Sequence, residues 1–352
     1  MLIDTGSSDV IINPGLYKTG PKSTNLHMRF ENSYGTTKSD GSGTGSVIGT
    51  LYNDTVSFGS LGATQTIGSA KGAAQIPSDG IVGFAGAAVA QFPNGAAPWF
   101  HTLCNEGKVA SCRFGVALGY NGNGIQVLGE LDKSLFEGDL TTTSIVQEWA
   151  IFADLAIGGK IIKTDVPVEL DTGTATITGP VNDVLSIFNA TSIQSVVHNT
   201  TDGVTVTGYF PCDKPPTIGF SIPSRANVST AVNANSGSIS HKSAIFDIAP
   251  EQWIAADNGN NNCTAVLSGA TVPLYPTLWV VGQPFFHGLY IDHNVQDGSM
   301  GFAKVRNQST QNGTQTSTTL SSSATPTNMG ISSTQINGFW SFVVFGVAAF
   351  MF

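Results

Sequence analysis

Residues 169–175 read Glu169-Leu170-Asp171-Thr172-Gly173-Thr174-Ala175, and residues 2–8 read Leu2-Ile3-Asp4-Thr5-Gly6-Ser7-Ser8. Both stretches run from an apolar residue into Asp-Thr-Gly and then into a hydroxyl side chain. Far downstream, each is followed by two apolar residues and a glycine: Asp79-Gly80-Ile81-Val82-Gly83 in one half, Leu278-Trp279-Val280-Val281-Gly282 in the other. A single Asp-Thr-Gly arises often by chance. Two copies, each behind an apolar run and each with the same downstream partner, describe an internal duplication that divides the chain into two related halves.

Composition agrees with a chain built from strands. The 352 residues are enough for two lobes with a sizeable core. Only 11 % are charged, while Gly, Ser, Thr and Asn abound; long surface helices usually need more Lys, Glu and Arg. Apolar runs at residues 47–58, 114–118, 125–128, 151–157, 204–210 and 289–292 read as strands between glycine-rich turns. Helical periodicity is confined to residues 98–105 and 180–188, the second opened by Pro180 at a first-turn position. Net charge is −9, and the 15 basic residues form no phosphate-facing stripe, so nucleic-acid binding is not expected.

The chemistry follows from the repeated aspartates. Two carboxylates facing each other cannot both ionise cheaply, so such a pair holds one proton between its members. The ionised member can polarise a water while the protonated one donates to a carbonyl oxygen. Asp4 and Asp171 are the aspartates with the duplicated context. Gly6 and Gly173 keep the backbone open beside them, and Ser7 and Thr174 offer hydroxyls to their outer oxygens. The six histidines show no metal-binding spacing, and neither a metal nor an organic cofactor is expected.

Taken together, these motifs resemble the pepsin-like aspartic peptidases, particularly their secreted fungal branch, over residues 2–305. Asp171-Thr172-Gly173-Thr174 running on to Thr178-Gly179-Pro180 is close to that family's second motif. Leu278 to Gly282, Tyr290-Ile291-Asp292 and Gly301-Phe302-Ala303 follow its C-terminal pattern. The resemblance implies an all-β, bilobal fold with a cleft between the lobes and a flap in the first. It implies an endopeptidase acting on polypeptides at acidic pH through a water activated by Asp4 and Asp171, as a monomer. Thr5 and Thr172 would hydrogen-bond across the lobe interface. Asp171 would stand on the base side and Asp4 on the donor side, a division that a shared proton softens.

Phe30-Glu31-Asn32-Ser33-Tyr34-Gly35-Thr36 resembles the start of the flap and makes Tyr34 its tyrosine, with Ser42 as the alternative in a gapless comparison. Two positions depart from the family. Ile11 stands where tryptophan is usual and cannot donate to the flap tyrosine, and Ala175 replaces a common serine. These departures keep a second reading open, a weakly active or non-catalytic surface glycoprotein that binds peptide or serves adhesion.

The four cysteines allow three pairings. Proximity and the lobe division favour Cys104–Cys112 and Cys212–Cys263, and the family places its second-lobe disulfide at the latter. Asn53, Asn189, Asn199, Asn227, Asn262, Asn307 and Asn312 begin glycosylation sequons. The expected organisation is a first lobe over 1–135, a connection over 136–147 and a second lobe over 148–306. A Ser/Thr-rich stalk and spacer over 307–338 and an apolar tail over 339–352 follow. The tail is short for a bilayer span and matches a glycosylphosphatidylinositol signal, with attachment at Asn328 or at Ser322. That predicts a secreted or cell-surface protein. Met1 lies three residues before Asp4, so the leader, propeptide and first hairpin expected of the family would lie upstream.

Overall fold

A computed structural model describes residues 1–37, 44–72, 76, 78–119, 124–200, 203–224, 243–270, 275–306 and 341–342. The chain folds as two β-lobes, and short apolar strands build each of them. In the first half these are β1 (Leu2–Asp4), β2 (Val10–Ile12), β3 (Thr24–Thr37), β4 (Thr44–Phe58), β5 (Leu61–Ala70) and β6 (Gly80–Gly83). They form a sheet in the order β1–β6–β2–β5–β4–β3, with Ser341–Phe342 paired on its outer edge. Helix α1 (Trp99–Asn105) follows and buries Trp99, Phe100 and Leu103.

After it come β7 (Arg113–Leu118), β8 (Gly124–Leu128) and β9 (Thr141–Ser144), the last within the expected connection. The second half supplies β10 (Ala150–Ile157), β11 (Lys160–Leu170), β12 (Ile177–Gly179), β13 (Gln194–Thr200), β14 (Gly203–Phe210), β15 (Ile218–Pro223), β16 (Ser243–Asp247), β17 (Ile254–Asp257), β18 (Cys263–Ala270) and β19 (Trp279–Val281). These build the second sheet. Helix α2 (Val181–Ala190), entered through Pro180, packs Val184, Ile187 and Phe188 inward.

Duplication in the sequence becomes duplication in topology. β1 runs parallel to β6, which β2 meets antiparallel while pairing parallel with β5. β11 runs parallel to β19, which β12 meets antiparallel while pairing parallel with β18. Each downstream apolar-apolar-glycine segment is therefore the strand alongside its Asp-Thr-Gly strand. That is why the two signals travel together in the sequence.

The last strands, β20 (Leu289–Asn294) and β21 (Ser299–Lys304), return to the first half. β20 pairs with β7 and β21 with β9, giving a third sheet in the order β8–β7–β20–β21–β9. Arg113 on β7 grips Asp292 on β20 with two hydrogen bonds, 3.0 and 2.5 Å long. A planar guanidinium on a partly buried carboxylate fixes direction as well as distance. Beside this pair, buried His293 stacks on Phe114 with ring centroids 4.4 Å apart. Burial holds its pKa down to about 3, so it packs as a neutral ring. Trp149, at the entry to the second half, donates its indole N–H to the Phe84 carbonyl at 2.9 Å.

Cys104 pairs with Cys112 and Cys212 with Cys263, with Cα separations of 5.4 and 5.1 Å. Of the sequon asparagines, Asn189, Asn199 and Asn262 are exposed. Asn53 is half-buried, with its amide oxygen taken by the Thr66 hydroxyl. Asn227, Asn307 and Asn312 lie outside the described residues, as do Ser322, Asn328 and the stalk. Among the described residues no helix is long and apolar enough to cross a membrane.

Candidate active site

β1 and β11 each deliver an aspartate at a strand end. Both carboxyls are completely buried and in hydrogen-bonding contact with each other. Their supports match atom for atom. The Gly6 N–H donates to Asp4 Oδ1 at 2.9 Å and the Ser7 hydroxyl to Oδ2 at 2.5 Å. The Gly173 N–H donates to Asp171 Oδ1 at 2.7 Å and the Thr174 hydroxyl to Oδ2. Each strand end is pinned from the neighbouring strand or the turn beyond it, by Phe84 N–H on the Asp4 carbonyl and by Asp171 N–H on the Val281 carbonyl.

The glycines do more than leave room. A Cβ on Gly6 would lie 2.6 Å from the Asp171 carboxyl carbon, and one on Gly173 would lie 2.3 Å from Asp4 Oδ1. Each glycine is thus packed against the aspartate of the other motif. Thr5 and Thr172 tie the two motifs directly. The Thr5 hydroxyl donates to the Leu170 carbonyl at 2.8 Å and accepts from the Thr172 N–H at 3.0 Å. The Thr172 hydroxyl donates to the Ile3 carbonyl at 2.7 Å and accepts from the Thr5 N–H at 3.1 Å. Four bonds between residues 165–169 positions apart, three of them buried, hold the carboxyls face to face.

Electrostatics follow from that closure. Burial raises both pKa values. Asp171 rises well above the usual range, because the charges of Asp4 and then Glu169 add to its burial. Each carboxyl's burial and its neighbour's charge therefore oppose ionisation of both at once. A pair coupled this closely titrates as a unit.

This arrangement matches a known family. The sequence profile of the family described as eukaryotic aspartyl protease covers residues 1–305. The chain belongs to that family. Over 326 residues it is 26 % identical to "Pepsin A" of Rhinolophus ferrumequinum, spanning 87 % of this chain and 77 % of the relative. It is 26 % identical to "Secreted aspartyl protease 1" of Malassezia globosa, spanning 86 % and 70 %. It is 28 % identical to "Aspartic protease" of Phaffia rhodozyma, spanning 86 % and 72 %. This eukaryotic aspartyl protease is an aspartic-type endopeptidase.

Tyr34 lies on β3, opposite Gly45 of β4, in the hairpin that approaches the aspartates. Its side chain is buried, and the charges of Asp4 and Asp9 add to burial in raising its hydroxyl pKa. Ser42, the alternative, lies outside the described residues. Ile11 packs in the same buried cluster as Tyr34 and Phe30, filling space where an indole donor is usual. A polar pair that the sequence did not reveal stands beside it. The Asn32 amide donates to Asp9 Oδ2 at 2.7 Å, and the Gln91 N–H reaches the same oxygen at 2.8 Å. Asn32 Oδ1 is buried with no hydrogen-bond partner among the described residues. Asn32 and Tyr34 share a strand face through their two-residue spacing, a signal that needs the strand assignment before it means anything.

Two further acids escaped the sequence reading, Glu148 and Glu169. Glu169 ends its side chain within the electrostatic reach of Asp4, Asp171 and Glu148.

Proposed function

We propose that Asp4 and Asp171 are the catalytic pair of this endopeptidase and that they share a single proton. The observation that carries this reading is the matched burial of both carboxyls, each facing the other motif's glycine. A water between the two is polarised by the ionised carboxylate, which takes its proton as the oxygen attacks the scissile carbonyl carbon. The protonated partner donates to the carbonyl oxygen, giving a neutral tetrahedral diol. Proton return to the amide nitrogen then lets the C–N bond break into a carboxylic acid and an amine. Thr5, Gly6, Ser7, Thr172, Gly173 and Thr174 hold the geometry, and Tyr34 on the flap covers substrate and excludes water. The lobes divide at 1–135 and 148–306, with 136–147 between them.

The sign of the pH dependence follows from the raised pair. Activity requires one proton on two carboxyls, so it is present in acid and lost as pH rises through the pair's upper pKa. A quenched-peptide assay across about pH 3–8 should show an acid maximum abolished by a statine-type peptide, which mimics the diol. Activity that rose toward neutral pH, or that ignored the inhibitor, would contradict the proposal.

The protein acts on polypeptides as a monomer outside the cell or at its surface. Two disulfides, three exposed sequons and the relative called "Secreted aspartyl protease 1" support secretion. The order of the polar stretch 307–338 and the apolar stretch 339–352 supports a lipid anchor at Asn328, with Ser322 as competing site. Phosphatidylinositol-specific phospholipase C should then release the activity from cells; activity retained on treated cells would contradict the anchor.

A further inference from the structure

β11 carries an acid on the half-buried face opposite its core residues. Val166, Val168 and Leu170 alternate inward as buried apolar residues, and Asp171 follows at the strand end. Glu169 precedes Asp171 by two positions, so the strand period sends both toward the same side. It pairs with Ala150 of β10 on one flank and with Val280 of β19 on the other. Neither neighbour's side chain offers it a donor or a charge. Glu169 is half-buried, and its carboxyl has no hydrogen bond or ion pair among the described residues.

Another acid near Glu169 is held in place. Glu148 sits in the turn leading into β10 with φ of 44°, and its carboxylate accepts the N–H groups of Gly86 and Ala88. The groups facing Glu169 from the packed elements are Asp4 at the end of β1, Asp171 at the end of its own strand, and Glu148. All are acidic. The described ion pairs use Lys108, Arg113 and Lys163, none of which reaches these acids. A half-buried carboxyl surrounded by negative charge is costly to fold, and such costs are retained where they serve a site. Here the site is the substrate cleft itself, since the scissile bond must lie against Asp4 and Asp171.

We propose that Glu169 determines substrate specificity by receiving the lysine or arginine side chain of a substrate residue that flanks the scissile bond, with Glu148 bordering the same subsite. The proposal rests on the assignment of Asp4 and Asp171 as the catalytic pair. A cationic side chain there would supply the missing counter-charge and a donor for the unpartnered carboxyl. Burial first, then Asp4 and Glu148, hold the Glu169 pKa up to about 8, so the free protein in acid carries it protonated. A bound ammonium or guanidinium lets that proton leave, and proton release makes the basic preference grow as pH rises.

Paired quenched peptides that differ only in lysine against norleucine test this, with the varied residue placed directly before or directly after the scissile bond. The readout is the ratio of kcat/KM within each pair, in which changes to the chemical step cancel. At one of the two positions the unmodified protein should favour lysine by about tenfold or more at pH 6, and by less at pH 4. Glu169→Gln should bring that ratio to within about threefold of unity and flatten its pH dependence. Glu169→Leu, which replaces the carboxyl by an apolar side chain, should invert it in favour of norleucine. A ratio unchanged in both variants, or a preference for norleucine at both positions in the unmodified protein, overturns the proposal. Cleavage that survives Asp171→Asn overturns instead the catalytic assignment, and the proposal with it; a ratio that stays unchanged while Asp171→Asn is inactive overturns the specificity claim alone.

Discussion

Replacing Asp171 by asparagine should lower kcat by about 10³–10⁴-fold, the scale of a lost general acid–base group. KM should change little. Asparagine has the same shape, and its amide oxygen can still accept the Gly173 N–H that now reaches Asp171 Oδ1 at 2.7 Å. What disappears is the exchangeable proton. With Asp171 neutral and unable to titrate, Asp4 alone cannot both polarise the water and donate to the carbonyl. Folding should survive and even gain, because Asp171 is completely buried and its pKa stands well above the usual range. Above the pair's upper pKa the variant holds one buried charge where the unmodified pair holds two, so the gain should appear as pH rises. Thermal unfolding of the variant would check this. A variant that kept more than about a tenth of the activity would mean that another group does the chemistry.

Gly173→Ala is expected to damage the same site by geometry instead of by proton inventory. The added methyl carbon would fall 2.3 Å from Asp4 Oδ1, 2.7 Å from its carboxyl carbon and 3.0 Å from Asp171 Oδ1. No side chain can absorb that by swinging away, because Asp4 is held by the Gly6 N–H and the Ser7 hydroxyl. Either the carboxyls separate or the lobes do. Overpacking of this kind costs about 1–3 kcal/mol in stability, and an ångström of displacement can cost about 100-fold in rate. The variant should therefore lose at least about 100-fold in kcat/KM and unfold at lower temperature. Near-normal activity would mean that the two motifs are less tightly packed than the structure has them.

How far the sequence discloses this protein depends on the distance over which each signal acts. The duplicated motifs are local, and their downstream glycine segments are legible because the strand beside each Asp-Thr-Gly strand is buried and apolar. The strands at residues 114–118, 151–157 and 204–210 announce themselves by their apolar residues, and all three are present. β5 reads Leu-Gly-Ala-Thr-Gln-Thr-Ile-Gly-Ser-Ala, and its polar residues gave no strand signal; only pairing with β4 and β2 makes it one. The return of β20 and β21 to β7 and β9 is a register between strands more than a hundred residues apart, and nothing in either strand names its partner.

The site divides along the same line. Asp4, Asp171 and their hydroxyl and glycine neighbours are written next to each other in the chain. Glu169 was visible as the residue before Leu170, but its meaning comes from the acids around it and from Ala150 beside it, which belong to other elements. Asp9 and Asn32 lie 23 positions apart and meet only when β3 folds over β2. Ile11 is legible as a departure from the family, whereas the Asp9–Asn32 pair near Tyr34 is not.

The central claim is that Asp4 and Asp171 act on one water between them. The crystal structure of the complex with a statine-type peptide tests it most directly, because the statine hydroxyl occupies the position of the tetrahedral diol. The account predicts that hydroxyl within hydrogen-bonding distance of both carboxyls, with Tyr34 closed over the inhibitor and the Thr5–Thr172 bonds intact. An inhibitor hydroxyl that contacted only one aspartate, or neither, would contradict it.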